Sequence, residues 1–314
     1  MMAEKKDDND ETHFFFSSTL FTSSPPPPPS QVAPDKLLRH PPPPLQSTQG
    51  QARCHYGSYR GRKVPSLNRL LYNGLDITTN KIPPDERRGV RHFLLGDFDS
   101  IDADVEPSQY RSTAGFVVGE IASRGDLPVV VGGSNSFIHA LLVDTFDPKM
   151  DVFAAGSGSV SLVLRYDCCF IWVDVAWSVL RDYLCQRVDE MLDSGMLEEL
   201  ARFYDPAKVG VLVGLRKAIG VAEFDKYFSK FPPWETAENG SDTARREAYE
   251  EAVRDIKDNT CRLAKRQTGK IMKLRAAGWD LTRIDATVAF RAVMTKEKEK
   301  KNESESDSPD VWER

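Results

Sequence analysis

The sequence contains neither a long apolar run nor a cysteine arrangement that would bind a metal. No run of about 18 apolar residues occurs, so we expect no transmembrane helix. The five cysteines are odd in number and include no CxxC pair, and the five histidines show no ligand spacing, which argues against a structural zinc site. A chain with these features suits a reducing compartment. We therefore expect neither a protein-held metal nor a membrane partner.

A strong excess of charge of one sign is also missing. The net charge of the 314 residues is −5, with 28% charged and 40% hydrophobic side chains. Bulk binding to nucleic acid requires clustered positive charge, so no nucleic-acid partner is expected, although a local basic stripe could still bind phosphate. The composition is typical of a globular body with polar appendages, and we expect a monomer.

Both ends of the chain have compositions that do not build a core. Residues 1–51 contain Pro25–Pro29, Pro41–Pro44 and many serines and threonines, which predicts disorder. Their Ser, Thr and Phe content favours a plastid transit peptide, whereas the acidic stretch Asp7–Glu11 argues against one. Plastid targeting is slightly favoured over a plain tail in the cytosol. Residues 295–314 alternate Lys, Glu, Asp and Ser, which predicts a disordered, charged tail.

Between these ends, apolar runs alternate with long amphipathic segments. The predicted strands are Leu127–Val131, Cys168–Val175 (continuously apolar, so buried on both faces) and Asp280–Asp285. The long predicted helices are Ala176–Phe203, interrupted by Gly195, and Arg245–Ala277, followed by Gly278. Alternating strands and helices predict an α/β fold with a mainly parallel sheet, and the long helices before the last strand suggest a helical insertion.

The segment GGSNS, Gly132–Ser136, follows the first predicted strand. Its glycines allow backbone amides to approach an anion, and the start of the following helix favours negative charge. Ser134 and Asn135 add side-chain donors. A tight turn with a capped helix explains the same pattern, and the pattern alone favours that simpler interpretation.

Two later segments carry neighbouring cations. Arg216 and Lys217 lie in LRKAIG, where a diphosphate or only solvent could be their partner. In the predicted helix, Asn259–Gln267 (NTCRLAKRQ) places Lys265 and Arg266 three and four residues after Arg262, a row that could bind phosphates. The motif also contains Thr260 and Gln267, seven residues apart on one face. An ordinary exposed helix face remains the alternative.

The segment GLDITTNK, Gly74–Lys81, contains the compact polar groups of Asp76, Thr78 and Thr79. Such side chains either face a ligand or bond to their own loop backbone. His139, on an apolar helix, is predicted to be a core or rim residue.

Taken in order, these segments resemble a known family. The resemblance covers YNGLDITTNKIP, RGV, HFLLG, PVVVGGSNSFIHALL, YDCCFIWVDV, GLRKAIG and KDNTCRLAKRQ, within residues 72–294. It is to the plant adenylate isopentenyltransferases, relatives of the tRNA dimethylallyltransferases. The resemblance implies a fold similar to P-loop kinases. It also implies transfer of a dimethylallyl group from dimethylallyl diphosphate to N6 of adenine in AMP, ADP or ATP, the first step of cytokinin biosynthesis.

The family chemistry implies roles for the motifs. The adenine amine attacks the allylic carbon as diphosphate leaves, so an Asp serves as general base, and cations, amides and Mg²⁺ stabilise the leaving group. By resemblance the donor-binding residues are Gly132, Gly133, Ser134, Asn135, Arg216, Lys217, Thr260, Lys265, Arg266 and Gln267. Asp76, Thr78 and Thr79 are expected on the nucleotide side.

The acceptor expected from the resemblance is a free nucleotide. The tRNA-modifying branch usually has Arg where this chain has Cys261, and it often carries a C-terminal zinc finger that is not visible here. A tRNA dimethylallyltransferase remains the alternative.

The sequence departs from the family at residues 52–71. The phosphate-binding loop GxTGxGKS should precede Tyr72 and is absent, and the position of the family's catalytic Asp falls on Leu67, which cannot accept a proton. With one nucleotide dropped, codons for Cys54–Leu70 can encode VIMGPTGAGKSRLSID, a complete phosphate loop. A frame error in the gene, or in its description, is our hypothesis. As written, the chain is expected to have impaired activity, and a non-catalytic relative is the second alternative.

Overall fold

The computed structural model describes residues 13–21, 70–87, 89–99, 103–154, 160–234 and 242–295. Within these ranges a four-stranded sheet is formed. The strands are β1 (His13–Phe21), β2 (Val129–Gly132), β3 (Cys168–Ala176) and β4 (Leu281–Asp285). Their spatial order is β2-β1-β3-β4; β1 is antiparallel to both neighbours, and β3 is parallel to β4. Three strands therefore run in one direction, which confirms the predicted α/β class.

The helices complete the predicted alternation. They are α1 (Pro107–Ser123), α2 (Asn135–Leu142), α3 (Trp177–Asp193), α4 (Met196–Phe203), α5 (Val221–Lys230) and α6 (Asp242–Ala276). Shorter 3-10 turns are Pro84–Arg87, Pro206–Lys208 and Gly214–Lys217, and residues 287–295 are helical after β4. The four helices α3 to α6 lie between β3 and β4 in the chain and form the predicted helical insertion. None of the described helices is long and apolar enough to cross a membrane.

The predicted break in the first long helix occurs at Gly195. Helix α3 ends at Asp193 and α4 begins at Met196, and Gly195 between them has φ +96°, in the left-handed region that glycine adopts without strain. The second long helix ends just before Gly278, also as predicted.

Strand β1 lies within the segment that was predicted to be disordered. Nine residues, His13–Phe21, pair with β3, and Ser17–Leu20 also pair with β2. The sequence HFFFSSTLF is rich in aromatic and hydroxyl side chains that favour strands, a local preference hidden by the proline-rich surroundings. The expectation of disorder is therefore wrong for these nine residues, and the rest of 1–51 lies outside the described residues. So do residues 52–69, including Leu67, and 296–314.

The two faces of the sheet differ in burial, contrary to the prediction that β3 is buried on both. Phe170 and Trp172 are 5% and 3% exposed on the face that packs against Ile271 and Trp279. On the opposite face, the pairing register aligns Val129 with Cys169 and Val131 with Ile171 across β1. Val129 and Val131 are 47% and 44% exposed, Cys169 is exposed and Ile171 is half-buried. The described helices thus leave this apolar face partly uncovered.

The main core lies between the helices and the segment that begins at Leu70. Leu71 and Tyr72 are fully buried, in one cluster with Leu141, Phe224 and Ile256. The Tyr72 hydroxyl donates to the Ala103 carbonyl at 3.0 Å and accepts from the Val105 amide at 2.8 Å. This core fixes the start of the Gly74–Lys81 loop.

Candidate functional site

The GGSNS turn is fastened to helix α6. Strand β2 ends at Gly132 and α2 begins at Asn135, so the turn is the strand-to-helix connection that the sequence predicts. Asn135 is 1% exposed, and its side-chain Nδ2 lies 3.1 Å from the Gly133 carbonyl oxygen and 3.2 Å from Gln267 Oε1. The same nitrogen lies 3.3 Å from the Gln267 carbonyl oxygen. The structure thus brings together two motifs that are separated by more than a hundred residues.

A second contact between turn and helix involves residues outside the predicted set. The Lys270 ammonium donates to Ser136 Oγ at 2.6 Å and lies 5.0 Å from the centroid of the Phe153 ring. Burial lowers the pKa of Lys270, with Arg266 and Lys273 adding repulsion and Asp151 opposing it. Lys270 was visible in the sequence only as an extension of a cationic row; nothing there indicated its partner Ser136.

The cationic row is present on α6 beside the turn. Lys265 is exposed, with its ammonium 4.6 Å from the centroid of the Trp177 ring. Arg266 is exposed, and its guanidinium makes no hydrogen bond or ion pair with the residues that the structure describes. Thr260 is half-buried, two turns before Gln267 on the same helix. A guanidinium without a protein partner, next to an anion-compatible turn, can bind a diphosphate bidentately.

Arg216 and Lys217 are engaged elsewhere. Arg216 is 3% exposed; its guanidinium lies over the Phe203 ring, 4.9 Å from the centroid, and 3.7 Å from the Asp225 carboxylate. Burial raises the pKa of Asp225 although Arg216 opposes this. Lys217 forms an ion pair with Asp104. Neither cation is joined to the GGSNS turn by a hydrogen bond or ion pair among the described residues, so their predicted role with the diphosphate stays a prediction.

The Gly74–Lys81 loop is held by Glu199, a residue that the sequence did not single out. The Glu199 carboxylate accepts from the Ile77 amide at 3.0 Å and from the Thr78 amide and hydroxyl at 2.7 and 2.6 Å. Gly220 closes the other side, where a Cβ would lie 2.5 Å from Met196 Cε and 3.1 Å from Thr78 Cγ2. Glu199 is one of two adjacent acidic residues in the first turn of α4, so no sequence pattern separates it from Glu198.

The other polar groups of this loop serve the loop itself. The Thr79 hydroxyl donates to the Leu75 carbonyl at 2.6 Å, and exposed Asp76 pairs with Lys81 at 2.6 Å. Asp76 borders a cleft of about 1170 Å³ between this loop and α3, whose lining also includes Arg87, Asp182 and Arg187. Among the described residues that line this cleft, none belongs to the GGSNS turn or to α6, so the meeting of the predicted nucleotide side with the predicted donor side stays a prediction.

His139 is a core residue. It is 5% exposed and its ring stacks on Trp279 with centroids 6.2 Å apart. Burial, aided by Arg111, lowers the pKa of His139. Its place behind the turn makes it a packing residue, in agreement with the prediction.

Comparison with known proteins identifies the family. The sequence model of the family described as IPP transferase matches residues 70–157 and 147–270. The chain belongs to the IPP transferase family. It is 55% identical over 254 residues to an adenylate isopentenyltransferase of Humulus lupulus, covering 78% of this chain and 75% of that protein. It is also 54% identical over 233 residues to adenylate isopentenyltransferase 1, chloroplastic, of Arabidopsis thaliana, covering 74% of this chain and 65% of that protein.

Solved structures of family members share the fold. A eukaryotic dimethylallyltransferase acting on tRNA superposes with a TM-score of 0.56 at 20% identity, over 79% of this chain and 73% of that one. A tRNA isopentenylpyrophosphate transferase of Staphylococcus epidermidis superposes with a TM-score of 0.52 at 17% identity, over 75% and 88% of the two chains. At these identities the likeness supports the P-loop-like IPP transferase fold and nothing finer.

Proposed function

We propose that this IPP transferase is an adenylate isopentenyltransferase by descent. The reaction is transfer of a dimethylallyl group from dimethylallyl diphosphate to N6 of the adenine of AMP, ADP or ATP, the first step of cytokinin biosynthesis. Support comes from the relatives in Humulus lupulus and Arabidopsis thaliana, whose names carry this activity. The single observation that carries the proposal is the clamp between Asn135 and Gln267, which holds the anion-compatible turn against the cationic face of α6.

In this arrangement the described residues would act on the donor. Diphosphate leaves with more negative charge on its bridging oxygen than it had in the substrate, so donors aimed at it lower the barrier. We assign that charge to Arg266 and Lys265, which are exposed on α6 close in sequence to Gln267, the residue that contacts the turn. In this proposal, the backbone amides of the GGSNS turn and helix α2 orient the donor.

Removal of the proton from the adenine amine is the step this chain is least equipped for. The family's general base falls on Leu67, outside the described residues, and the phosphate loop is missing from the same segment. Loss of a general base costs about 10²–10⁴ in rate. We therefore propose turnover lower by at least that factor than in a chain with both features.

Magnesium enters the proposal with the substrate. No group of three or more His, Cys, Asp or Glu that could hold a metal occurs among the described residues. Mg²⁺ commonly keeps its waters and is bound by one or two carboxylates together with substrate phosphates. We therefore propose that the Mg²⁺ expected from the family enters as the counter-ion of the diphosphate.

A free nucleotide is the proposed acceptor, and the plastid the proposed compartment. Relatives at 51–55% identity are named for adenylate, whereas the tRNA-acting neighbours share about a fifth of their residues or fewer with this chain. Relatives at 46–54% identity are named chloroplastic. Cytosol is the alternative compartment, and a monomer free of nucleic acid remains our expectation.

The test is product formation by the purified chain. Dimethylallyl diphosphate and Mg²⁺ are combined with AMP, ADP, ATP or tRNA, and N6-prenylated adenine is measured by mass spectrometry. We expect slow product formation on free nucleotides, reduced a further ten-fold or more by Arg266→Ala. Arg246→Ala, an exposed arginine at the other end of α6, is the matched control and should leave the rate unchanged.

Two other outcomes would change the assignment. Product on tRNA alone would make the tRNA enzyme the correct function. Nucleotide binding without product would favour the non-catalytic relative. Sequencing the transcript across codons 45–75 separates the last case from a frame error, because an intact phosphate loop and Asp there would mean that the natural protein is an active enzyme.

A further inference from the structure

Two cysteines lie at the interface between two helices. Cys185 is on α3 and Cys261 is on α6. The two helices meet on one side of the pair through Asp189 and Lys257, 2.6 Å apart, and on the other side through the Lys265 ammonium, 4.6 Å from the centroid of the Trp177 ring. Both thiols are free and half-buried. The two residues are far apart in sequence, so their proximity is a result of how α3 packs against α6.

The pair is reachable from solvent on the Cys185 side. Cys185 borders a cleft of about 470 Å³ between α3 and α6, and it also borders the larger cleft beside Asp76. Cys261 packs against the cluster of Val179 and Leu180 and does not line either cleft. An oxidant of low molecular mass therefore meets the Cys185 thiol first.

The surroundings of Cys261 disfavour its thiolate form. Burial raises the pKa of Cys261 to about 11, with contributions in the same direction from Cys185 and Asp258, while Arg181 opposes them. Arg181 and Asp258 also line the smaller cleft that Cys185 borders. The other charged groups of α3 and α6 that line it are Asp189, Asp193, Glu250, Arg254 and Lys257. Because the thiolate is the attacking species, Cys261 reacts slowly at neutral pH and faster as the pH rises.

We propose that Cys185 and Cys261 form a redox-sensitive pair that closes to a disulfide and ties α3 to α6. With glutathione disulfide as oxidant, the Cys185 thiolate attacks one glutathione sulfur and releases one glutathione. The Cys261 thiolate then attacks the Cys185 sulfur of the mixed disulfide and releases the second glutathione. Two thiols and one glutathione disulfide thus give one protein disulfide and two glutathiones, with two protons passing from the protein to the products.

The bond would act on the helix that carries the candidate donor site. Cys261 directly follows Thr260 and precedes Lys265, Arg266 and Gln267 on α6. Reduced, α6 is held to α3 by packing and by ion pairs such as Lys257 with Asp189 at 2.6 Å. Oxidised, it is held covalently, and the loop closed between the two helices restricts the unfolded chain.

The test uses the full chain and does not require turnover. Reduced protein is exposed to glutathione redox buffers at several pH values, remaining thiols are blocked with N-ethylmaleimide, and non-reduced peptides are mapped by mass spectrometry. We expect one linked peptide containing Cys185 and Cys261, reversed by dithiothreitol, with the rate of closure rising several-fold per pH unit from pH 7 to 9. Thermal unfolding of the oxidised form should move up by about 5–10 °C.

Variants distinguish this pair from other thiols. Cys185→Ser should abolish the linked peptide and the oxidant-dependent thermal shift, whereas Cys169→Ser, which removes an exposed cysteine of β3, should leave both intact. Stable glutathionylation of Cys185 without closure would overturn the proposal, as would a linkage that involves any other cysteine. The peptide map of the unmodified chain decides the question even where a variant fails to fold.

Discussion

Removal of the Glu199 carboxylate should release the Gly74–Lys81 loop. In the folded protein this carboxylate accepts three hydrogen bonds, from the amides of Ile77 and Thr78 and from the Thr78 hydroxyl, at 2.6–3.0 Å. Thr78 is 6% exposed, so its two donors have little access to water once the acceptor is gone. An unsatisfied buried donor costs about 1–3 kcal/mol, and the half-buried Ile77 less. Glu199→Ala is therefore expected to lower the free energy of unfolding by about 2–4 kcal/mol.

Urea denaturation followed by far-UV circular dichroism measures this loss. We expect a lower midpoint at an unchanged slope, since the surface exposed on unfolding stays the same. Glu199→Gln keeps one acceptor oxygen and should lose about half as much. Glu198→Ala is the control, because Glu198 is exposed on the same helical turn and makes none of these bonds. Equal midpoints for Glu199→Ala and Glu198→Ala would refute the assignment of the loop's support to Glu199.

Three further predictions follow from the sheet and the core. Deletion of residues 1–22 removes β1 (His13–Phe21) from between its two neighbours and should abolish the cooperative urea transition; an unchanged midpoint would show that the strand is dispensable. Phe170→Ala should cost about 3–5 kcal/mol and Ile171→Ala about 1 kcal/mol, since these adjacent side chains lie on the buried and the uncovered face; similar losses in denaturation would contradict the difference between faces. The pKa of His139 is lowered in the folded state by burial and by Arg111. The neutral His139 side chain therefore contributes its full stabilisation above the unfolded-state pKa of about 6.5, and this stabilisation is lost as the pH falls from there through the folded-state pKa. His139→Phe should flatten the pH dependence of the urea midpoint between pH 7 and 5, and an unaltered slope there would count against this cause.

The position of β1 also bears on plastid targeting. A protease that removed the chain up to residue 22 or beyond would also remove β1, which lies between β2 and β3 in the sheet. If the N-terminal segment is cleaved on import, the mature chain must fill that place in another way or fold less stably. Mass spectrometry of the N-terminus of protein recovered from plastids, combined with the deletion above, tells which of these holds.

Local features of the fold could be predicted from the sequence because they depend on neighbouring residues. The GGSNS turn, the break at Gly195 and the end of α6 before Gly278 each follow from glycine next to an apolar periodic segment. The family, too, is recognisable from short strings whose order is enough to identify it. The strand His13–Phe21 was missed although its composition favours a strand, because the prolines around it dominated the compositional signal.

Tertiary structure alone decided which of the polar motifs meet. Asn135 and Gln267 are joined across 132 positions, and Cys185 and Cys261 are brought to one interface by the packing of α3 on α6. No spacing rule along the chain encodes either arrangement. Arg216, by contrast, is buried beside Phe203 and Asp225 and makes no hydrogen bond or ion pair with the turn among the described residues. The string LRKAIG does not specify this side-chain packing. Sequence determined the residue types, the local elements and the family, because these depend on covalent order and short-range propensity. Long-range packing decided which charged side chains stay accessible to a ligand and which are paired inside the fold.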